Sequence, residues 1–141
     1  MHYLGFVFVD EPTNEAVAAA MADFKDREWD WYRPGGRYGG YFGGEVEMKK
    51  RQTHDGFNFE DSNESAAANC IKVADLPEGR TPYFFISEAT WVPQEYYNDY
   101  EKSPIGDYYG AILPTPDFKK RWKEALEINK DKYIVVVDAH N

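Results

Sequence analysis

The stretch KYIVVVDAHN, residues 132–141, decides the fold. Its run 133–137 is unbroken tyrosine, isoleucine and valine, with no alternation of apolar and polar residues. Such a run reads as a strand buried on both faces. YLGFVFV, residues 3–9, has the same character and ends in the turn signal Asp10-Glu11-Pro12. Runs this apolar suit central strands, and the ferredoxin-like order reached below sets its first and last strands side by side in the middle of the sheet.

The segments between them supply the remaining layers. Thr13 or Asn14 can cap a helix in which Val17, Met21 and Phe24 form one face, and the alanine-rich sequence predicts that helix over about residues 15–28. WDWYRPGGRYGGYFGG, residues 29–44, contains six glycines and a proline, which forbid regular helix. Val46 and Met48 alternate with Glu45 and Glu47, which allows a short strand, and residues 49–69 read as a long polar loop. IKVADL (71–76) and TPYFFISEATWV (81–92) read as strands separated by the turn Pro77-Glu78-Gly79, and residues 93–110 read as an ordered loop. Thr115-Pro116-Asp117 is a helix start, and Phe118, Trp122, Ala125 and Leu126 form the stripe that follows it. The resulting order, β-α-insert-β-β-α-β, is that of the ferredoxin-like split βαβ unit, so we expect a single α+β domain of this type, a βαββαβ antiparallel sheet with two helices and a Gly/aromatic-rich insert.

Composition narrows the class. The chain has 141 residues, a net charge of −9 and 43% hydrophobic residues, the profile of one globular domain. No apolar run approaches the ~18 residues of a membrane span. The N-terminal residues lack the basic region and small-residue cleavage site of a signal peptide. One cysteine, Cys70, excludes an internal disulfide and suits a reducing cytoplasm. A pI near 4.8 argues against direct binding of a nucleic-acid backbone. The unusual number is 17% aromatic residues, concentrated around residues 29–42 and 91–109. That surplus predicts self-association into a homo-oligomer.

Three segments together resemble a family of small phage and prophage proteins that is uncharacterised. WDWYRPGGRYGGYF resembles that family's WDWYxIGGRWxG-type motif, TPYFFISEATWV its TPxAFVTPxGxW strand, and YIVVVDAHN its terminal VVDCHI. Tyr38 replaces the motif's second tryptophan, and Ala139 stands where the family usually has cysteine. The resemblance implies viral origin and a host-cell cytoplasmic location. It also weakly implies the ferredoxin-like fold, through a further likeness to WGTKW-type segments.

The sharpest chemistry lies at Arg33-Pro34-Gly35-Gly36-Arg37. Glycines let backbone N–H groups converge on an anion, and Arg33 and Arg37 can pair with phosphate or carboxylate oxygens. Trp31, Tyr32, Tyr38 and Tyr41 can stack on a ring. These residues are the candidate pocket for a small anionic, nucleotide-like ligand. The competing reading is architectural: a Gly-rich hairpin in which arginine stacks on tryptophan and pairs with a local carboxylate. The pattern is neither a P-loop nor a dinucleotide fingerprint.

His2, His54 and His140 have no metal-ligand spacing, so no metal and no cofactor are expected. Asp138 and His140 share a strand face, and an Asp-His couple can orient a general base. Without a nucleophile elbow, binding is favoured over catalysis. Residues 45–101 hold five basic against twelve acidic residues. There, Glu95, Tyr96, Tyr97, Asp99, Tyr100 and Glu101 offer an acidic, tyrosine-rich surface that could occupy a basic groove of a host defence protein. Three functions follow: sequestration of a nucleotide-like ligand in phage counter-defence, inhibition of a host protein by nucleic-acid mimicry, and a small nucleotide-processing enzyme using His140 or His54.

Overall fold

The computed structural model describes residues 2–43, 65–94, 96–99, 111–114 and 116–141. The two apolar runs are β1 (His2–Val9) and β8 (Tyr133–His140), paired antiparallel from His2↔His140 to Val9↔Tyr133. They occupy the middle of a six-stranded sheet. β4 (Phe84–Ser87) lies beside β1, and β5 (Thr90–Pro93) lies outside β4. The far edge of β8 is shared by two short strands laid end to end. β2 (Trp31–Pro34) pairs with its C-terminal half and β3 (Cys70–Lys72) with its start. Between them Gly35 N–H donates to the Val136 carbonyl at 2.8 Å, which keeps that edge bonded. A separate hairpin pairs β6 (Tyr96–Asp99) with β7 (Ala111–Pro114).

Among the described residues two helices cover the sheet, one on each face. α1 (Asn14–Ala22) buries Val17 and Met21 against Val7, Val9, Val135 and Val137. α2 (Pro116–Ile128) buries Phe118, Trp122 and Ala125 against Phe6, Phe8, Ile134 and Val136. Odd-numbered residues of β1 and β8 therefore face α1, and even-numbered residues face α2, as the two-residue period of a strand requires. Among the described residues no helix is long and apolar enough to cross a membrane.

The α+β character and the central β1/β8 pair follow the sequence, but the strand arrangement differs from the ferredoxin-like order. In a split βαβ unit another strand separates the two parallel strands. Here β4 pairs directly and in parallel with β1, at Gly5↔Phe84 to Val7↔Ile86. The sheet also carries extra strands. The reason lies in the strands themselves: β1 and β8 are apolar on both faces, so each face needs its own helix. The parallel neighbour also needs the close approach that Gly5 gives, since a Cβ on Gly5 would collide with the Phe84 ring. That ring in turn stacks on Trp91 at 3.8 Å between centroids and an angle of 9°.

Three boundaries moved. The segment 81–92 is a hairpin because Glu88 and Ala89 both take positive φ, 51° and 60°, as a two-residue hairpin turn of the I′ kind needs. The segment 71–76 is extended only to Lys72, then tightens into a 3-10 turn at Val73–Asp75. α1 ends at Ala22 because Asp26 turns the chain at φ 63° and the Trp29 indole N–H returns to the Met21 carbonyl at 2.9 Å. Thr13 is its N-cap, accepting from Ala16 N–H at 3.1 Å.

Candidate functional site

On the α2 side of the sheet the β1/β8 pair changes chemistry toward one end. Phe6, Phe8, Ile134 and Val136 lie beneath α2. Next along this face come Leu4 and Asp138, a cross-strand pair, and then His2 and His140, the last pair of the ladder. β2 extends this surface because Trp31 pairs with His140 and Arg33 with Asp138. Strand register alone thus places two imidazoles, an indole and a guanidinium on one surface.

His2, Trp31, Arg33 and His140 line an open cleft of about 430 Å³. The two imidazole rings stand 5.5 Å apart, and each meets the Trp31 ring edge-on, at 5.8 Å for His2 and 6.2 Å for His140. The Arg33 guanidinium lies over Trp31 at 4.9 Å from its centroid, a cation-π stack. Each imidazole is tied through Nδ1 to a carboxylate. His2 pairs with Asp138 Oδ1 at 2.7 Å, and His140 pairs with Asp30 Oδ1 at 2.8 Å. A carboxylate at Nδ1 fixes which ring nitrogen carries the proton and leaves Nε2 to exchange one with a ligand. The two carboxylates differ in setting: the Asp138 side chain is 0% exposed, while that of Asp30 is 56% exposed.

The glycine loop is built around Asp138. Gly35 and Gly36 have φ of 72° and 53°, which turns the Arg37 backbone N–H onto Asp138 Oδ2 at 2.9 Å. Gly36 packs so closely that a Cβ would sit 2.7 Å from the Asp138 Cβ. Positive φ favours glycine, and here the missing side chain matters as well. The anion held by this N–H is therefore the protein's own carboxylate. Nearby, burial pushes the Tyr38 phenol above its ordinary pKa, and Asp138 adds to the shift while Arg37 opposes it.

The structure divides the eight candidate ligand residues into three groups. Trp31 and Arg33 line the cleft. Gly36 and the Arg37 backbone N–H close on Asp138, while Gly35 packs against the Asn69 side chain. Tyr38 and Tyr41 pack against the core on the α2 side, whereas Tyr32 lies on the α1 side with its ring 4.9 Å from that of Trp29. Of the acidic surface, Glu95, Tyr100 and Glu101 lie outside the described residues, as does His54. Tyr96, Tyr97 and Asp99 are in β6. The residues that sequence reasoning missed are His2 and Asp30. His140 pairs with Asp30 instead of with Asp138, its neighbour on the strand face. Among the described residues no group of three or more histidine, cysteine or acidic side chains could hold a metal ion. Comparison with family models, curated proteins and solved structures gives no match to this chain.

Proposed function

We propose that the protein binds a small anionic ligand carrying a flat ring, of the nucleotide type, in the cleft of His2, Trp31, Arg33 and His140. One observation carries this reading: the Arg33–Trp31 stack places a cation and an aromatic face in the same cleft as two imidazoles. Its volume of about 430 Å³ falls within the ~300–1,000 Å³ range of small-molecule pockets. The guanidinium suits a phosphate, and the rings suit a base. In a phage protein, as the WDWY–GGR resemblance implies, such binding would withdraw a host nucleotide signal and so serve counter-defence.

Calorimetry against mononucleotides, cyclic nucleotides and cyclic dinucleotides tests the reading. Binding by one of these classes is expected, and Trp31→Ala should weaken it by the ~1–3 kcal/mol of a lost base stack, roughly five- to 150-fold. Arg33→Ala should weaken it similarly, and Arg33→Lys should restore only part, since lysine lacks the planar fork. Absence of heat with every class would overturn the assignment.

A further inference from the structure

We infer that this cleft hydrolyses a phosphodiester bond in its ligand, with His2 and His140 as an acid–base pair; the inference rests on the binding reading above. Anion capture alone does not account for the wiring of the two histidines. A site selected only to hold an anion gains from uncompensated positive charge. Here each imidazole has a carboxylate at 2.7–2.8 Å, which offsets the charge an imidazolium would contribute. What the carboxylates do provide is a fixed tautomer and ring orientation, which serve proton transfer. Two such rings, 5.5 Å apart on one cleft wall, provide a donor and an acceptor for a single reaction.

The reaction that needs both is displacement at a phosphodiester. Nε2 of the neutral imidazole takes a proton from water as the water oxygen forms a bond to phosphorus. The bond from phosphorus to the leaving oxygen breaks, and its electron pair goes to that oxygen. Nε2–H of the second, protonated imidazole donates a proton to it. One water is consumed, a phosphomonoester and an alcohol form, both on the same molecule when the diester is cyclic, and proton exchange with solvent resets the rings. A diester carries one negative charge, which suits the Arg33 guanidinium in the cleft lining, and its alkoxide leaving group needs the proton that the second histidine supplies. Asp30 and Asp138 are positioning residues that act through the rings.

The test incubates the full-length protein, with EDTA present, with 3′,5′-cyclic AMP, 2′,3′-cyclic AMP and cyclic di-GMP. Phosphorus NMR follows conversion of diester to monoester, and calorimetry measures binding in parallel. At least one probe should yield monoester. His140→Gln is the informative variant, because His140 is 39% exposed at the end of its strand and its loss spares the core. It should lower kcat by about a hundred-fold or more, the typical worth of a general acid or base, while Kd changes only a few-fold. Asp30→Asn should lower kcat and leave KM unchanged. Binding without monoester from any probe overturns this inference and leaves the binding reading standing. Neither heat nor turnover overturns both. Turnover that appears only in a parallel reaction without EDTA, or that persists undiminished in His140→Gln, overturns the acid–base assignment.

Discussion

Asp138 and His2 meet at 2.7 Å although 136 residues separate them in the chain. Their contact ties the last strand to the first at the edge of the cleft. Asp138 is fully buried, so its charge requires partners, and it has the His2 ring and the Arg37 backbone N–H. One carboxylate on the terminal strand thus joins the glycine loop to one wall of the cleft.

Removing that carboxylate should be costly. Asp138→Ala leaves the Arg37 N–H and the His2 ring without their acceptor and is expected to cost about 2–5 kcal/mol. Asp138→Asn keeps an acceptor and should cost less. Thermal denaturation of both variants checks this ordering, and wild-type melting of Asp138→Ala would refute it.

Two glycines with positive φ should respond differently to alanine. At Gly36 the new Cβ would meet Asp138 atoms at 2.7 and 2.8 Å, whereas at Gly79, with φ 80°, nothing lies within 4 Å. Gly79→Ala should therefore cost only the ~1–2 kcal/mol of a left-handed backbone, and Gly36→Ala clearly more. Equal loss in urea unfolding would show that the Gly36–Asp138 approach is not tight.

Val135 is fully buried on the α1 face and pairs with Val7 on one side and Cys70 on the other. Val135→Asp puts an unpaired charge at the centre of the sheet. It should cost several kcal/mol, comparable with the ~5–15 kcal/mol stability of a whole domain. Circular dichroism should show loss of the folded state at or near room temperature; a cooperative melt within a few degrees of wild type would contradict the central placement of β8.

The central strands were legible in the sequence because their physics is local: 3–9 and 133–137 are apolar at every position. The same fact, carried one step further, would have shown that both faces need a helix. The 81–92 hairpin was hidden because its turn is Glu88-Ala89, with no Asn or Gly to announce positive φ. Trp31 and Arg33 were visible as ligand chemistry because an arginine among aromatic rings suits an anion with a flat ring; that they share one face was hidden, because nothing in the Gly-rich stretch announces the strand β2. His2 was not visible, since its role depends on the register that pairs it with His140. Asp30 was hidden similarly, because its partner His140 is 110 residues away.

Tyrosine ionisation offers a pH test. Burial raises the phenol pKa values of Tyr32 and Tyr38 above their ordinary value of 10.0. The folded state therefore retains these protons at a pH where the unfolded chain loses them. Their contribution to stability is complete below about pH 10 and is lost as pH rises through the folded values. Absorbance at 295 nm should show a late-ionising fraction that diminishes in Tyr32→Phe and in Tyr38→Phe. Titration of all tyrosines as one set would contradict their burial.

The most direct measurement of the central claim is a nucleotide titration followed by NMR of the imidazole and indole resonances, assigned with His2→Gln, His140→Gln and Trp31→Phe variants. If the cleft is the binding site, His2, His140 and Trp31 should shift together and saturate with one shared Kd. Saturable binding that leaves all three resonances unmoved would place the ligand elsewhere and contradict the account.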